Sequence, residues 1–185
     1  MHVRTLTFFF LTCAAGVGSV LAAQPPGVLI DVPFVAQTRD GCGSAAISMI
    51  MKYWENQLGR AATISADPDR IQAALYSRAA GGIPASKMRE YFLASGYRVF
   101  AFQGNWNDLK QHVQDGRPLI VSLKASGPLG PLHYVVVTGI DMERGYVYTN
   151  DPAQQKSLRI SREGFESEWN PTHNWTLLAV PQSGD

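Results

Sequence analysis

The chain has 185 residues, of which 45% are hydrophobic and 17% are charged, and its formal net charge is +1. This length and composition are typical of one globular domain with a substantial core. A near-neutral chain without runs of like charge lacks the basic surface that binds nucleic acid or anionic membranes, so we expect neither partner.

Residues 1–23 predict a secretory signal peptide. An arginine near the start precedes an apolar stretch over residues 6–20, and small residues follow it, which is the order of an export signal. The alternative is a retained anchor, but the stretch is shorter than the roughly 20 apolar residues of a spanning helix. We expect cleavage after Ala22 or Ala23, export to the periplasm or the medium, and one mature domain over residues 24–185.

Cleavage at this point leaves a single cysteine in an exported domain. The chain has two cysteines, and Cys13 lies within the predicted signal peptide, so Cys42 remains alone. Exported domains tend to carry paired cysteines or none, and a leftover thiol there is buried or used. Cys42 is therefore a candidate functional residue, with a small buried core residue as the alternative.

Helical patterns dominate the first part of the mature chain. Apolar residues recur at helical spacing behind Cys42, which predicts a helix with Cys42 and Gly43 in its first turn and Asp40 or Gly41 as its cap. An extended segment is expected before this helix, over residues 28–37, and further helices are expected over residues 67–78, 84–96 and 106–114.

The pattern changes period after Pro118. Segments rich in valine, isoleucine, tyrosine and threonine predict antiparallel strands over residues 118–125, 133–141, 145–151 and 176–181. Glu143–Gly145 is predicted as a hairpin turn, and Ser161–Trp169 as a short helix or turn. Helices followed by strands indicate an α+β domain, in which a helical lobe and a sheet meet at a cleft.

The position of Cys42 suits a nucleophile. The thiolate is the reactive form, and free cysteine is mostly protonated at neutral pH because its pKa is about 8.5. The positive end of a helix dipole stabilises the anion, and Cys42 is predicted to lie at such an end. The flanking Gly41 and Gly43 are expected to leave room at the thiol for a substrate carbonyl.

A nucleophilic thiol needs a general base within hydrogen-bond reach. Three histidines follow the predicted signal peptide. His112 is expected on a polar, solvated helix surface, and His173 in a turn. His133 opens the most apolar strand, where the sheet is expected to meet the cleft. The alternative for His133 is a partly buried strand-end histidine that is satisfied by backbone groups.

Two more positions fit the same chemistry. Asn150, Asp151 and Pro152 end the strand that is paired by a hairpin with the His133 strand, so a polar residue there can orient the imidazole. Such a triplet is also a strong turn signal by itself. Gln37 precedes Cys42 on a loop, where its amide could stabilise an oxyanion beside the Cys42 N–H; a surface glutamine is the alternative.

Taken together in this order, these residues resemble a known family. The segment VPFVAQTRDGCGSAAISMIMKYW resembles the signature of the family-39 cysteine peptidases, the bacteriocin-processing or double-glycine leader peptidases, and more closely their stand-alone family-39-like branch. GRPLIVSLKASGPLGPLHYVVVTGIDMERGYVYTNDPA is similar to the family's second motif, and Phe165 and Trp169 match a closing pattern of the branch. The resemblance covers about residues 29–180.

The resemblance implies a papain-like fold and a thiol peptidase. It implies Cys42 as nucleophile, His133 as general base and later acid, Asp151 as the residue that orients His133, and Gln37 as oxyanion donor. It implies a peptide or protein substrate and no cofactor, and the scattered histidines lack the spacing of a metal site. Because the chain carries a predicted export signal and no transporter segment, we expect a substrate other than a double-glycine leader.

Two other functions stay open at this stage. Papain-like folds also support acyl transfer, in which an amine replaces water as the acceptor, and sequence does not choose between them. A peptide-binding module could retain the same residues without turnover. The sequence leaves the cleavage preference, the oligomeric state and regulatory partners undetermined.

Overall fold

One antiparallel sheet forms the centre of the protein. The structure is a computed structural model and describes residues 27–124 and 130–182. Within these ranges the sheet has seven strands: β1 (Val28–Leu29), β2 (Tyr97–Gln103), β3 (Leu119–Lys124), β4 (Leu132–Asp141), β5 (Tyr146–Asn150), β6 (Leu158–Ser161) and β7 (Trp175–Pro181). Their order is β2-β7-β3-β4-β5-β6, with β1 also paired to β4.

Helices cover both faces of this sheet. The α-helices are α1 (Cys42–Gln57), α2 (Pro68–Leu75), α3 (Ala85–Ala94), α4 (Trp106–Gln114) and α5 (Arg162–Trp169), and short 3-10 helices span Ile64–Ala66 and Asn170–Thr172. One hydrophobic cluster joins α1, α2 and α3 to the sheet, and a second cluster joins α4 and α5 to it. The sheet is therefore buried between two layers of helix.

Strand β4 shows why this arrangement is stable. Val136 packs into the cluster of α1, whereas Val135 and Val137 pack into the cluster of α4 and α5. Successive side chains of a strand point to opposite faces, so an uninterrupted apolar run is what a strand buried on both faces requires. Helix α1 is fixed further by a hydrogen bond from Trp54 Nε1 to the Ala179 oxygen at 2.9 Å.

The mixed helical and antiparallel architecture predicted from the sequence is confirmed, and so are the start of α1 at Cys42 and the bounds of α4. Strict order of helices before strands is wrong, because β2 lies between α3 and α4 and pairs with β7 along its whole length. Strand β6 was also not expected, and α4 and α5 pack on the sheet face opposite α1.

The predicted signal peptide, residues 1–23, lies outside the described residues, and the division of the chain at this point stays a prediction. Within residues 27–124 and 130–182, no helix combines the length and the apolar character required to cross a membrane.

Candidate active site

A tight turn sets the start of α1. The Gly41 N–H donates to the Thr38 oxygen at 3.0 Å, and Asp40 between them has a left-handed backbone with φ of 55°. A side chain on Gly41 would place its Cβ 3.1 Å from that same oxygen, so the turn closes on a glycine. Gly41 is the helix cap, and the helix start has no side-chain capping bond from this residue. Cys42 is therefore the first residue of the helix.

The glycines beside Cys42 allow the helix start to pack closely against neighbouring segments. Gly41 and Gly43 are both buried. A Cβ on Gly43 would lie 2.9 Å from the Cβ of Ile83, so the first turn of α1 presses directly on the segment before α3. The space where a Gly43 side chain would lie is thus filled by protein, and the expectation that the two glycines leave room at the thiol stays a prediction.

His133 lies near the start of β4, opposite Leu123 of β3. Its Nε2 is 2.8 Å from Oδ1 of Asp151, which follows the last residue of β5. Because β4 and β5 are antiparallel neighbours, the beginning of one strand meets the end of the other. This register brings together two residues that are 18 positions apart in the chain.

The carboxylate of Asp151 is held in a closed turn. Only 4% of the residue is exposed, and its oxygens also accept from the Ala153 N–H at 2.9 Å and from Gln154 Nε2 at 2.7 Å. Burial by itself raises the pKa of Asp151, but the His133 hydrogen bond and charge, with these other donors, lower it below its ordinary value. Asp151 is therefore a carboxylate at neutral pH.

The preceding Asn150 anchors this turn to the rest of the molecule. It is fully buried, its Nδ2 donates to the Val32 oxygen at 3.0 Å, and its Oδ1 accepts from the Ser157 N–H at 3.0 Å. Both ends of the side chain are thus used. The residues after β5 thus form the turn predicted from the sequence and also place a polar residue beside His133.

Cys42 on the helix and His133 on the sheet line the same cleft and influence each other's ionisation. Burial raises the pKa of the Cys42 thiol, but His133, through hydrogen bonding and charge, and the N–H groups of Tyr134 and Gly43 outweigh burial and lower that pKa. Burial also opposes the charge of His133, yet hydrogen bonds to Asp151 and Cys42 raise its pKa to about 9. The two groups therefore stabilise each other's charged forms, an imidazolium at His133 and a thiolate at Cys42.

The two nitrogens of His133 have different partners. Nε2 faces Asp151, which leaves Nδ1 as the ring nitrogen available to Cys42. In the imidazolium both nitrogens carry protons, so His133 can donate to the carboxylate and to the thiolate at the same time. His133 of β4 therefore lies between Cys42 of α1 and the carboxylate of the turn after β5.

Gln37 lines the same cleft as Cys42 and His133. Its backbone N–H donates to the Pro152 oxygen at 2.9 Å, which ties the loop before α1 to the Asp151 turn. The side-chain Oε1 is buried without a hydrogen-bond partner among the described residues. Gln37 therefore has a fixed backbone position in the wall of the cleft.

The cleft that contains these four residues has a volume of about 370 Å³. It is lined by Gln37, Asp40, Cys42, Gly81, Leu123, Pro131, Leu132, His133, Asp151, Ala153, Gln154, Ile160 and Glu168. The structure thus brings together every residue that the sequence predicted for the site. Their catalytic roles stay predictions.

The remaining histidines lie elsewhere. His173 is exposed and has a left-handed backbone with φ of 55°, in agreement with the expected turn. His112 was expected on a solvated surface, and this is wrong. It is half-buried with its ring 5.9 Å from the Phe102 ring, and burial, followed by the charge of Arg117, lowers its pKa. His112 shares the face of α4 that buries Leu109, three residues earlier.

Two contributors to the site carried no signal in the sequence. The Tyr134 N–H helps to stabilise the thiolate, but a backbone donor is not marked by residue type. Gln154 contacts Asp151, and a glutamine after a turn looks like any solvated residue. Gln154 follows Asp151 by three residues, which is a common spacing within turns. This spacing alone does not show whether the Gln154 side chain contacts Asp151 or is exposed to solvent.

A family comparison bears on this site. A model of the Peptidase_C39 like family matches residues 29–176. The chain belongs to this family. Membership in the Peptidase_C39 like family supports a cysteine peptidase in general, and it confirms the resemblance read from the Cys42 and His133 segments. A comparison with curated proteins finds no match.

Solved structures show the same fold. A C39-like peptidase from Bacillus anthracis has 18% identity and a TM-score of 0.63, covering 85% of this chain and 99% of that one. A double-glycine motif protease from an AMS/PCAT transporter, in complex with the leader peptide, has 18% identity and a TM-score of 0.62, covering 84% and 95%. Xylellain, a cysteine protease from Xylella fastidiosa, has 12% identity and a TM-score of 0.53, covering 92% and 91%. The papain-like fold is therefore confirmed.

Proposed function

We propose that this protein is an exported cysteine peptidase that hydrolyses peptide bonds through Cys42, His133, Asp151 and Gln37. One observation carries the proposal: His133 is hydrogen-bonded to Asp151 and lies with Cys42 at the wall of one open cleft. This is the arrangement of a nucleophile, a base and an orienting group. Membership in the Peptidase_C39 like family supports the same reaction class.

In the acylation step, the Cys42 thiolate attacks the carbonyl carbon of the substrate and the carbonyl oxygen becomes an oxyanion. The His133 imidazolium then donates its Nδ1 proton to the leaving amine nitrogen. The C–N bond breaks, the amine product departs, and a thioester joins the acyl group to Cys42. Neutral His133 remains, with Nε2 still hydrogen-bonded to Asp151.

In the deacylation step, a water molecule attacks the thioester while neutral His133 accepts a proton from it. The C–S bond breaks, the acid product departs, and Cys42 leaves as a thiolate beside the restored imidazolium. Asp151 keeps its charge throughout, since its role is to orient the ring and to stabilise the imidazolium.

Two donors are available for the oxyanion of both steps. The Cys42 N–H belongs to the first residue of α1 and has no acceptor within the helix. The amide of Gln37 lies in the same cleft, on a loop that is tied to the Pro152 oxygen. A pair of fixed donors of this kind stabilises the charge that develops in the transition state.

Export and substrate class are part of the proposal. Residues 1–23 have the pattern of a secretory signal, so the substrate is a peptide or protein outside the cytosol. Cell fractionation with N-terminal sequencing tests this: a mature chain that begins after Ala22 or Ala23 is expected. A cytosolic chain that retains residue 1 would contradict it.

Peptide profiling tests the reaction. The purified protein and its Cys42→Ala variant are incubated with a peptide library and a tagged primary amine, and products are identified by mass spectrometry. New peptide ends in the wild type alone are expected. Stable amine incorporation exceeding hydrolysis would replace hydrolysis by acyl transfer. Absence of turnover together with a thiol pKa near that of free cysteine would favour a peptide-binding module.

A further inference from the structure

The turn after β5 contains a residue that the proposed reaction does not use. The Gln154 residue is exposed, yet its Nε2 lies 2.7 Å from Oδ2 of Asp151 and its side chain lines the catalytic cleft. Long exposed glutamines usually sample several rotamers in water. The short contact to a buried carboxylate therefore restricts the rotamers that the Gln154 side chain can adopt.

The hydrogen bonds of Asp151 are divided between its two oxygens. Oδ1 accepts from His133 Nε2 and from the Ala153 N–H, whereas Oδ2 accepts from Gln154. Among the described residues, Gln154 is the donor that holds Oδ2. Because a carboxylate rotates as a rigid plane, fixing Oδ2 also fixes Oδ1 toward the imidazole.

The backbone of the turn does not depend on this side chain. The Asp151 N–H donates to the Gln155 oxygen at 3.1 Å, and the Gln154 N–H donates to the Asp151 oxygen at 3.0 Å. The Pro152 oxygen accepts from Gln37. Loss of the Gln154 amide thus leaves the turn closed and removes one donor from the carboxylate.

We propose that Gln154 is a positioning residue, whose amide holds the Asp151 carboxylate so that it orients His133 and stabilises the imidazolium. The inference rests on the proposed function, since it concerns the same thiolate and imidazolium. It assigns an exposed residue of the cleft wall to the group of hydrogen bonds around Asp151 and His133.

Charged groups face His133 from several elements, and the test must keep them constant. Cys42 faces it from α1 and Asp151 from the turn after β5. Asp40 and Glu168 line the same cleft from the loop before α1 and from α5. Replacement of Gln154 by methionine keeps the length and neutrality of the side chain, so every one of these charges is retained.

The experiment compares the full chain with its Gln154→Met and Gln155→Met variants. The Gln155 residue is also exposed, and its backbone oxygen rather than its side chain serves the turn, so Gln155→Met is the matched control. Alkylation of Cys42 by iodoacetamide is measured against pH, because this small neutral reagent needs no substrate subsite. The pH dependence of kcat/KM on a cleaved peptide is measured in parallel.

A less stabilised imidazolium has a lower pKa and stabilises the thiolate less. For Gln154→Met we therefore expect the midpoint of the acid limb of the alkylation profile to move up by about half a pH unit. The midpoint of the alkaline limb of the kcat/KM profile should move to lower pH. We expect kcat/KM at neutral pH to drop about tenfold. Gln155→Met should match the wild type in the alkylation profile, in the pH profile of kcat/KM and in the value of kcat/KM at neutral pH. A loss of rate without movement of either limb would overturn the inference.

Titration of the His133 ring protons by NMR in a Cys42→Ala background gives an independent readout. The pKa of His133 should be lower when Gln154→Met is added, and an unchanged pKa would overturn the inference. Failure of the proposed function looks different: wild-type Cys42 would then alkylate with the pKa of free cysteine. A wild type with a lowered thiol pKa that Gln154→Met does not alter refutes only the role of Gln154.

Discussion

The two walls of the cleft are held in different ways. On the helix side, Cys42 is fixed by close packing, with Gly41 against Thr38 and Gly43 against Ile83. On the sheet side, His133 is fixed by hydrogen bonds that run through Asp151 to the turn after β5. Packing tolerates the loss of a polar atom, whereas a chain of hydrogen bonds does not.

The two walls therefore control different properties of the Cys42 sulfur, its position and its ionisation. The helix wall places the sulfur, and burial there by itself opposes ionisation of the thiol. The sheet wall supplies the imidazolium that reverses this effect. Replacement of Cys42 on the helix wall should therefore remove the nucleophile and lower the pKa of His133, since Cys42 is one of the groups that raise it. Substitutions on the sheet wall should change the ionisation of the thiol.

Cys42→Ala should have the largest effect. Turnover is expected to be abolished, because no other residue of the cleft can form the thioester. Folding should be intact, since alanine favours helices and fits a site that already holds a small side chain. Peptide cleavage is measured by mass spectrometry, and the melting temperature is measured by circular dichroism.

Cys42→Ser is the matched control for this variant. It keeps a small polar side chain, but its hydroxyl does not ionise at neutral pH, so turnover should also be lost. Residual cleavage by Cys42→Ala would assign the reaction to a contaminant or to a different nucleophile. A large drop in melting temperature would show that the helix start depends on the sulfur.

His133→Ala should be nearly as damaging, by about 10⁴-fold in kcat/KM, because the thiolate and the leaving group both lose their proton partner. Burial then dominates at Cys42, so the thiol pKa should rise. Iodoacetamide labelling against pH checks this: the labelling curve should move to higher pH than in the wild type. Labelling that stays at the wild-type pH would mean that the helix start alone stabilises the thiolate.

Gln37→Ala should lower turnover by about 10²-fold, the effect of losing one oxyanion donor. The loss should appear in kcat, while the iodoacetamide labelling curve stays in place, since Gln37 does not take part in the ionisation of the thiol. Steady-state kinetics separate the two parameters. Gln37→Glu, which presents an acceptor of the same size, should be no better than alanine. An unchanged rate in both variants would show that Gln37 does not stabilise the oxyanion.

Much of this site follows from local pattern. The helix start at Cys42 is marked by glycines and by apolar spacing behind it, and His133 is marked by the most apolar strand. Antiparallel pairing of β4 with β5 then places Asp151 beside His133. These steps need only a hairpin between two recognisable strands, so sequence suffices for them.

Other features depend on contacts between distant segments. Close packing of Gly43 on Ile83 joins residues that are far apart in sequence, and a glycine beside a cysteine is equally compatible with open space. Strand β2 is half exposed and lies at the sheet edge, so it lacks the continuous apolar run that marks β4. His112 appeared solvated because most residues around it in sequence are polar, although its helix face is buried.

Asp151→Asn should have the smallest effect of the four. The amide oxygen can still accept from Nε2 of His133, and Gln154 can turn its own amide to present an oxygen to the new nitrogen. We therefore expect a loss of about tenfold in kcat/KM, much less than for His133→Ala. The charge of Asp151 is among the causes that raise the pKa of His133 to about 9. Without this charge the imidazolium is less favoured, so its pKa falls and activity is lost at a lower pH on the alkaline side.

Measurement of kcat/KM from about pH 5 to about pH 10 distinguishes the two contributions of Asp151. A small loss with a lowered alkaline limb would show that orientation survives in Asp151→Asn while part of the electrostatic support is gone. A loss as large as that of His133→Ala would show instead that the negative charge is indispensable. The sheet wall would then act on Cys42 chiefly through charge, and the hydrogen bonds around Asp151 would matter because they keep that carboxylate ionised.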